Sequence, residues 1–317
     1  MYYYNCLQDY YGEAVAEGTA VKEESMKWIK GIVLLLLSNL LFLVAINVIV
    51  SFVLPLFGIT LGGDTASLLT MAAIFGFTGA FLSLAFSKQF ARAALGERYQ
   101  ITQPRKPAEQ VIYGAVQDIA QRLHINMPEV WVYESPDPNA FATGPSKNNS
   151  MVAVSTGLLQ NLKEDEVRAV LAHEMGHVYN GDMFTTTVLA GLMNTFVYFI
   201  SMLVRRFFAE RDQGGLGLAL SFVVQIVLGF LAMIPIMWHS RRREFGADAF
   251  SAKVYGKGAM ISALRGIERW VSRAQMEPSS SADPLVTFKI AGTTGGVMRL
   301  FASHPTMDER VAALERL

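Results

Sequence analysis

Cysteine is nearly absent from this chain. Cys6 is the single one in 317 residues, which excludes an intramolecular disulfide framework. A metal centre here must therefore draw on histidine and carboxylate. Charge is also scarce, at 17% of residues against about 25% in typical soluble domains. Lys and Arg total 27 and Asp and Glu total 27. A net charge of zero supplies no basic stripe, so no nucleic-acid partner is expected. Internal repeats are lacking as well. What the chain has in excess is apolar residues, at 52%.

Much of that excess lies in four uncharged runs, Gly31–Phe57, Ala66–Phe86, Met183–Val204 and Leu216–Trp238. Each approaches or exceeds the roughly 20 residues that an α-helix needs to cross a bilayer. The alternative is a helix buried in a large soluble core. It has more room in the third and fourth runs, where Thr185, Thr186, Thr187, Asn194 and Gln225 could face a bundle interior or water. The first run is too long for the apolar part of a signal peptide, and no small-residue cleavage site follows it before the second. The link between runs one and two carries Asp64 and no Lys or Arg, whereas Lys27, Lys30, Lys88 and Arg92 flank the pair. The positive-inside rule then puts both ends of this hairpin in the cytoplasm. Arg241, Arg242 and Arg243 after the fourth run read the same way, while Arg205, Arg206 and Arg211, between runs three and four, run against the pattern. Residues 1–25 are tyrosine-rich and acidic, and Met26 opens the stretch MKWIKGIVLLLL. Met26 is expected to be the initiator, or the first 25 residues a disordered tail.

Between runs two and three lies a polar segment, residues 87–182. Val111, Ile112, Ala115, Ile119 and Leu123 recur at helical spacing over Gln110–Leu123. Val130–Glu134 and Met151–Ser155 read as short strands bracketing a stretch rich in turn residues, with Pro136, Pro138, Gly144 and Pro145. Asn161–His177 reads as a helix, with Glu164, Asp165 and Glu166 in its first turn, where carboxylates suit the positive end of the helix dipole. Beyond run four, Ser240–Tyr255 and Gly258–Val271 read as helices. A Ser/Pro/Gly-rich loop and a last helix from about Thr306 follow. The fold class expected is mainly α with a small β-sheet (α+β), on four membrane-spanning helices.

The helix Asn161–His177 ends in His173-Glu174-Met175-Gly176-His177. Residues four apart share a helix face, so two imidazoles so placed can bind one Zn²⁺. Glu174 lies about 100° around the helix from His173, placed to reach a water at the metal as the general base of a metalloprotease. The alternative is a surface helix with two unpaired histidines. Against it, the chain holds only five His, two of them in this turn, on a helix whose apolar face implies packing. A third ligand is then needed. Glu244 and Asp248 again stand four apart on an expected helix, and a ligand carboxylate followed one turn later by another suits a metal site, the second fixing a ligand imidazole's tautomer. On the residues alone, Glu244 as a ligand and Glu244 in a surface ion pair with Arg241 or Arg243 both stay open. His239 could line the site or mark a membrane boundary. His124 and His304 read as structural.

HEMGH, followed by Arg243-Glu-Phe-Gly-Ala-Asp-Ala-Phe-Ser-Ala-Lys253 after a hydrophobic pair, resembles the HtpX membrane metalloproteases, relatives of the CAAX prenyl proteases. Asn139-Ala-Phe-Ala-Thr-Gly144, Val152-Ala-Val-Ser-Thr-Gly-Leu-Leu-Gln160, Asn180-Gly-Asp182 and the His304-Pro305 to Arg310 signature also match, so the resemblance covers about residues 26–317. It implies one Zn²⁺ per chain on His173, His177 and Glu244, with Glu174 as the base and a cytoplasmic zincin-like catalytic domain. Gly176 and Gly246 stand where the family often has Ser and His, and Gly176 is expected to add helix flexibility beside the metal. The stretch Asn139, Ala140, Phe141 and Ala142 is a candidate edge strand that binds an extended substrate by β-pairing. Its alternative is a loop whose small residues allow close packing. The layout expected is a tail over 1–25, a transmembrane hairpin over 26–95 and a first catalytic part over 96–182. Two further spans over 183–238 and a second catalytic part over 239–317 complete it. The expected function is hydrolysis of misfolded or damaged membrane proteins at the cytoplasmic face of the cell (inner) membrane, as quality control under stress. Rival readings are an inactive membrane scaffold that keeps a zinc site, a CAAX-type prenyl protease and, weakest, a small transporter. Oligomeric state stays open.

Overall fold

The computed structural model describes residues 65–96, 98–276, 300 and 302–317. The tail over 1–25, the first apolar run and the Ser/Pro/Gly-rich loop lie outside the described residues. The described chain clusters into two compact units. One is built from Ala85–Thr186 and Met237–Leu317, the other from residues up to Leu84 and Thr187–Ile236.

The second unit is helical. It holds most of α1 (Thr65–Ala85), most of α6 (Asp182–Ala209) and the first half of α7 (Gly214–Tyr255). Among the described residues these three helices are long and apolar enough to cross a membrane. They turn large apolar side chains outward, with Phe222 65% exposed, which hydrocarbon tolerates and water does not. α1 and α6 approach closely at small residues. A Cβ on Gly76 would stand 2.5 Å from the Thr195 amide nitrogen, the small-residue packing that membrane helices favour. α7 runs unbroken for 42 residues with Pro235 inside it, so the fourth apolar run and the helix expected over Ser240–Tyr255 are one element.

The other unit carries a mixed four-stranded sheet of β1 (Arg98–Gln100), β2 (Glu129–Tyr133), β3 (Ala140–Ser146) and β4 (Asn149–Ser155), in the order β1-β2-β4-β3. β4 is central, and Ser150–Ser155 are all buried, as a strand covered on both faces must be. β3 is an edge strand, antiparallel to β4, in agreement with the edge expected at Asn139–Gly144. On one side α3 (Pro107–Arg122) packs its stripe of Val111, Ile112, Ala115, Val116 and Ile119 into the core. Pro107 begins it and Glu109 caps it, accepting from the Arg105 amide at 2.9 Å. On the other side α2 (Ser87–Ala94) sets Ala91 near Tyr133, Met151 and Ala153. Sequence periodicity missed α2 and β1, which are too short to show it.

α4 (Thr156–Asn161) is a single short helix capped by the Ser155 hydroxyl, and α5 (Glu164–Asn180) follows it. The helix expected from Asn161 therefore begins at Glu164, since Asn161 ends α4 and Leu162 and Lys163 are extended and start a new cap. Gly181 ends α5 in the left-handed conformation (φ 70°), which costs glycine little. α8 (Lys257–Met276) and α9 (Met307–Glu315) complete the unit.

α5 and α7 meet face to face at Gly176. A Cβ there would lie 3.2 Å from the Ala247 Cα and 3.3 Å from the Phe250 Cβ. Gly176 is thus a point of close approach between the two helices. Gly246 is different, since its nearest neighbour would be the Asn180 Nδ2 at 3.9 Å. Gly176→Val should cost about 1–3 kcal/mol by overpacking, whereas Gly246→Ala should gain up to about 1 kcal/mol from helix propensity. Thermal unfolding of the detergent-solubilised variants tests both. Equal midpoints for the two would remove the close-approach argument.

Candidate functional site

The stripe Val170, His173, Glu174 and His177 lies on one face of α5, at spacings of three and four. All four side chains line a cleft of about 480 Å³, together with Asn139, Ala140 and Phe141 from the β3 edge and Glu244 from α7. His173, His177 and Glu244 each offer a ligand atom, and these atoms lie within 4.8 Å of one another. The two Nε2 atoms are 3.2 Å apart. His177 Nε2 is 3.3 Å from Glu244 Oε1, and His173 Nε2 is 3.5 Å from Glu244 Oε2. Bonds of about 2.0–2.1 Å to a tetrahedral ion put neighbouring donors about 3.3 Å apart. Each of the three distances suits such an ion, with Glu244 turning one oxygen to each histidine.

The far side of each imidazole is held. Asp182 Oδ2 stands 2.6 Å from His177 Nδ1, and Asp248 Oδ1 stands 2.9 Å from His173 Nδ1. A proton donated outward from each Nδ1 leaves both Nε2 lone pairs aimed inward. Two lone pairs and a carboxylate at this spacing repel unless a cation or protons sit between them, which is the electrostatic side of the same fit. Glu244 is 3% exposed and Asp248 1%. Arg310 from α9 balances them. Its Nη2 and Nε donate to Asp248 Oδ1 and Oδ2 at 2.6 and 2.8 Å, the bidentate geometry that guanidinium and carboxylate share, and Nη1 lies 3.5 Å from Glu244 Oε2. His304 Nδ1 reaches to 2.8 Å from Glu244 Oε2, near enough for charge pairing though without hydrogen-bond geometry.

These positions bear on what the residues alone left open. Glu244 faces the two histidines, not Arg241 or Arg243. Arg241 donates to the Ala302 carbonyl at 2.6 Å, and Arg243 lies 3.7 Å from Asp182. His304, expected to be structural, lines the cleft beside Glu244, which corrects that expectation, whereas His239 is not among the cleft-lining residues. Asp248 touches His173, as a supporting carboxylate would. Asp182 and Arg310 were missed as site residues. For Asp182 the signal was the glycine at 181, which turns the chain back so that the next side chain meets His177. Glu174 Oε2 accepts a hydrogen bond from the Ala142 amide at 3.0 Å, so the β3 edge holds the candidate base.

Without a cation, burial alone would push both imidazoles toward the neutral form. Asp182 and Glu244 override burial at His177 and raise its pKa to about 10. Asp248 and Glu244 raise that of His173 as well.

Residues 108–317 match peptidase family M48. Protease HtpX of Pasteurella multocida is 46% identical over 290 residues, covering 90% of this chain and 98% of that protein. A Protease HtpX homolog of Neisseria meningitidis serogroup B is 43% identical over 292 residues, covering 91% and 100%. Among solved structures, the crystal structure of Ste24p from S. mikatae is similar, with a TM-score of 0.65 and 19% identity. That likeness covers 93% of this chain, which spans 66% of the length of Ste24p.

Two expectations follow from the site. Stripped of metal, His177 keeps its proton below a pKa of about 10, so loading a divalent cation at pH 8 must expel it. Affinity should therefore rise with pH. Calorimetry in two buffers of different ionisation enthalpy should show proton release, and zero release would contradict the charge arrangement. Arg310→Met should leave Asp248 buried and uncompensated at a cost of about 3–5 kcal/mol. It should read as a large fall in the thermal midpoint, and an unchanged midpoint would refute that role.

Proposed function

The chain belongs to peptidase family M48, among the HtpX proteases, and from that premise we propose that it is a zinc-dependent endopeptidase working on membrane proteins. That it is a membrane-bound metalloprotease follows from the family, the relatives and the three apolar helices. The finer reading is that one Zn²⁺ per chain sits on His173, His177 and Glu244, with Glu174 as general base. Misfolded or damaged membrane proteins are the proposed substrates, at the cytoplasmic face of the cell inner membrane. The single observation that carries it is the triangle of three donors with Glu174 one residue along and an open cleft beside it.

Bound there, zinc supplies the positive charge that polarises a peptide carbonyl and acidifies water. Glu174 takes the proton of the attacking water on its carboxylate and hands it to the departing amide nitrogen. The Ala142 amide fixes Oε2 of that carboxylate. Substrate alignment follows from strand register. The Ser155 amide donates to the Asn139 carbonyl at 2.9 Å, so alternation turns the N–H and C=O of Ala140 and the C=O of Ala142 away from β4, while the Ala142 N–H, turned the same way, is held by Glu174. An extended peptide laid on this edge pairs through its backbone, with little demand on its side chains. That suits substrates of varied sequence.

The cytoplasmic placement is supported by the basic flanks Lys88, Arg92 and Arg241–Arg243, and the substrate class by the short chain distance from the ligands to the apolar runs. Four full spans, with the first over Gly31–Phe57, are part of the proposal. A structural zinc site needs four protein ligands, and among the described residues the donor group has three, which favours the catalytic reading over the scaffold.

Glu174→Gln should bind the same one zinc as the parent and lose cleavage of casein and of itself by several orders of magnitude. Metal analysis paired with gel-based proteolysis of both proteins in detergent checks this. Loss of zinc in the variant would sink the assignment of Glu174 as base. Loss in both would sink the ligand set.

A further inference from the structure

The strand edge that seats a substrate and the base that acts on it share one hydrogen atom. Asn139 and Phe141 turn their backbone groups to β4, so Ala140 and Ala142 turn theirs outward. The edge does not run far beyond them, because the pairing register shifts between Thr143 and Ser146. A peptide added here therefore leans on the N–H and C=O of Ala140 and of Ala142. Of these, the Ala142 N–H is already engaged, donating to Glu174 Oε2 at 3.0 Å across 32 positions of sequence. A carboxylate is a stronger acceptor than a peptide carbonyl, so the other contacts of the peptide must drive any exchange. Glu174 is half-buried and lines the cleft, which gives its carboxylate water to turn to once the bond is broken.

We propose that the Ala142 N–H is a donor handed over from base to substrate. Glu174 holds it while the edge is empty, and an extended peptide takes it on docking, which releases Glu174 Oε2 toward the cleft. Ala142 is then a positioning residue, whose backbone ties the release of the base to the presence of a strand. The proposal rests on the peptidase reading above and deepens it, by saying what substrate length does at that site. Part of the pairing energy goes into breaking the contact with Glu174, so affinity for a long peptide is lower than its backbone bonds alone would give. The same energy reappears in turnover, because interactions completed only on the way to reaction raise kcat. A peptide too short to cover Ala142 leaves the base tied to the edge. The arrangement thereby favours segments that are extended and unpaired, as in unfolded proteins, over small peptides and folded surfaces.

The test uses the full chain in detergent, loaded with zinc. Glu174→Gln and Glu174→Ala both lack a carboxylate base, so their affinity for a fluorescent peptide of about ten residues is read by anisotropy without cleavage. The Gln side chain keeps a carbonyl for the Ala142 N–H, and the Ala side chain removes it. Glu174→Ala should therefore bind the peptide about five-fold more tightly than Glu174→Gln, the worth of a neutral hydrogen bond. Ala142→Pro takes away the N–H, and at an outward-facing position of an edge strand it costs no ladder bond. In that background the two Glu174 variants should bind alike. Zinc content shows that each variant is folded. Equal affinities with Ala142 intact would overturn the shared donor, and so would a tightening that persists with Ala142→Pro, since it would come from space or charge at position 174. In the parent, kcat should rise about ten-fold from tripeptides to the long peptide, and Ala142→Pro should lose that rise. A length dependence confined to KM would overturn the shared donor while leaving the peptidase intact. A parent that cleaves neither casein nor any peptide would overturn the peptidase reading and the shared donor with it.

Discussion

Two carboxylates one turn apart on α7, both buried, set the terms for this unit. Leaving either uncompensated would cost several kcal/mol, and each finds its counter-charge on a different part of the chain. Glu244 faces the α5 histidines and His304, while Asp248 takes the Arg310 fork across both oxygens and shares Oδ1 with His173. The close approach of α5 and α7 serves that distance. Gly176 permits it, and the Ser251 hydroxyl ties it with a hydrogen bond of 2.6 Å to the Ala169 carbonyl. The segment bearing His304 and Arg310 is drawn in the same way, by Arg241 on the Ala302 carbonyl. Packing and electrostatics are one constraint here, since helices a fraction of an ångström further apart would open the triangle.

Chemistry carried by residues close in sequence was legible beforehand. The placing of His173 and His177 on one face, with Glu174 between them, follows from helix periodicity alone, and the strands at Glu129–Tyr133 and Asn149–Ser155 from runs of β-branched residues between turn signals. Partners supplied from a distance were not legible. Arg310 is 137 residues from His173, and nothing in its neighbours announces a buried guanidinium. His304 looked structural because its only marker is the proline beside it. Asp182 sat in a quoted motif without a role, because the role depends on the left-handed turn at Gly181. The short α4 went unseen because six residues are too few to show a period, and only the cap at Lys163 separates it from α5. The arginines between the third and fourth apolar runs, which ran against the charge pattern, are engaged locally. Arg206 pairs with Glu210 at 2.7 Å, and Arg211 lies over the Phe207 ring at 3.6 Å.

The scarcity of charge noted at the outset now has a distribution. In the helical unit the surface is apolar, and buried polar groups such as Thr195 and Ser201 bond back to their own helix carbonyls at 2.8 Å. In the other unit, Glu109 and Glu166 are buried as helix caps, and His173, Glu244, Asp248 and Arg310 are gathered around one cleft. A chain poor in charge has thus placed its costliest charges where a cation and a substrate can use them.

Chain order gives this arrangement a consequence in time. The parts of the cluster are synthesised in sequence: first the edge strand and α5, then α7, then His304 and Arg310. Until Arg310 is added, Asp248 has no partner for its second oxygen edge and cannot be buried cheaply. A nascent chain therefore passes through a long interval in which the histidine pair exists and the finished centre does not. Assembly order alone delays completion of the centre until α9, the last of the described helices, has been made.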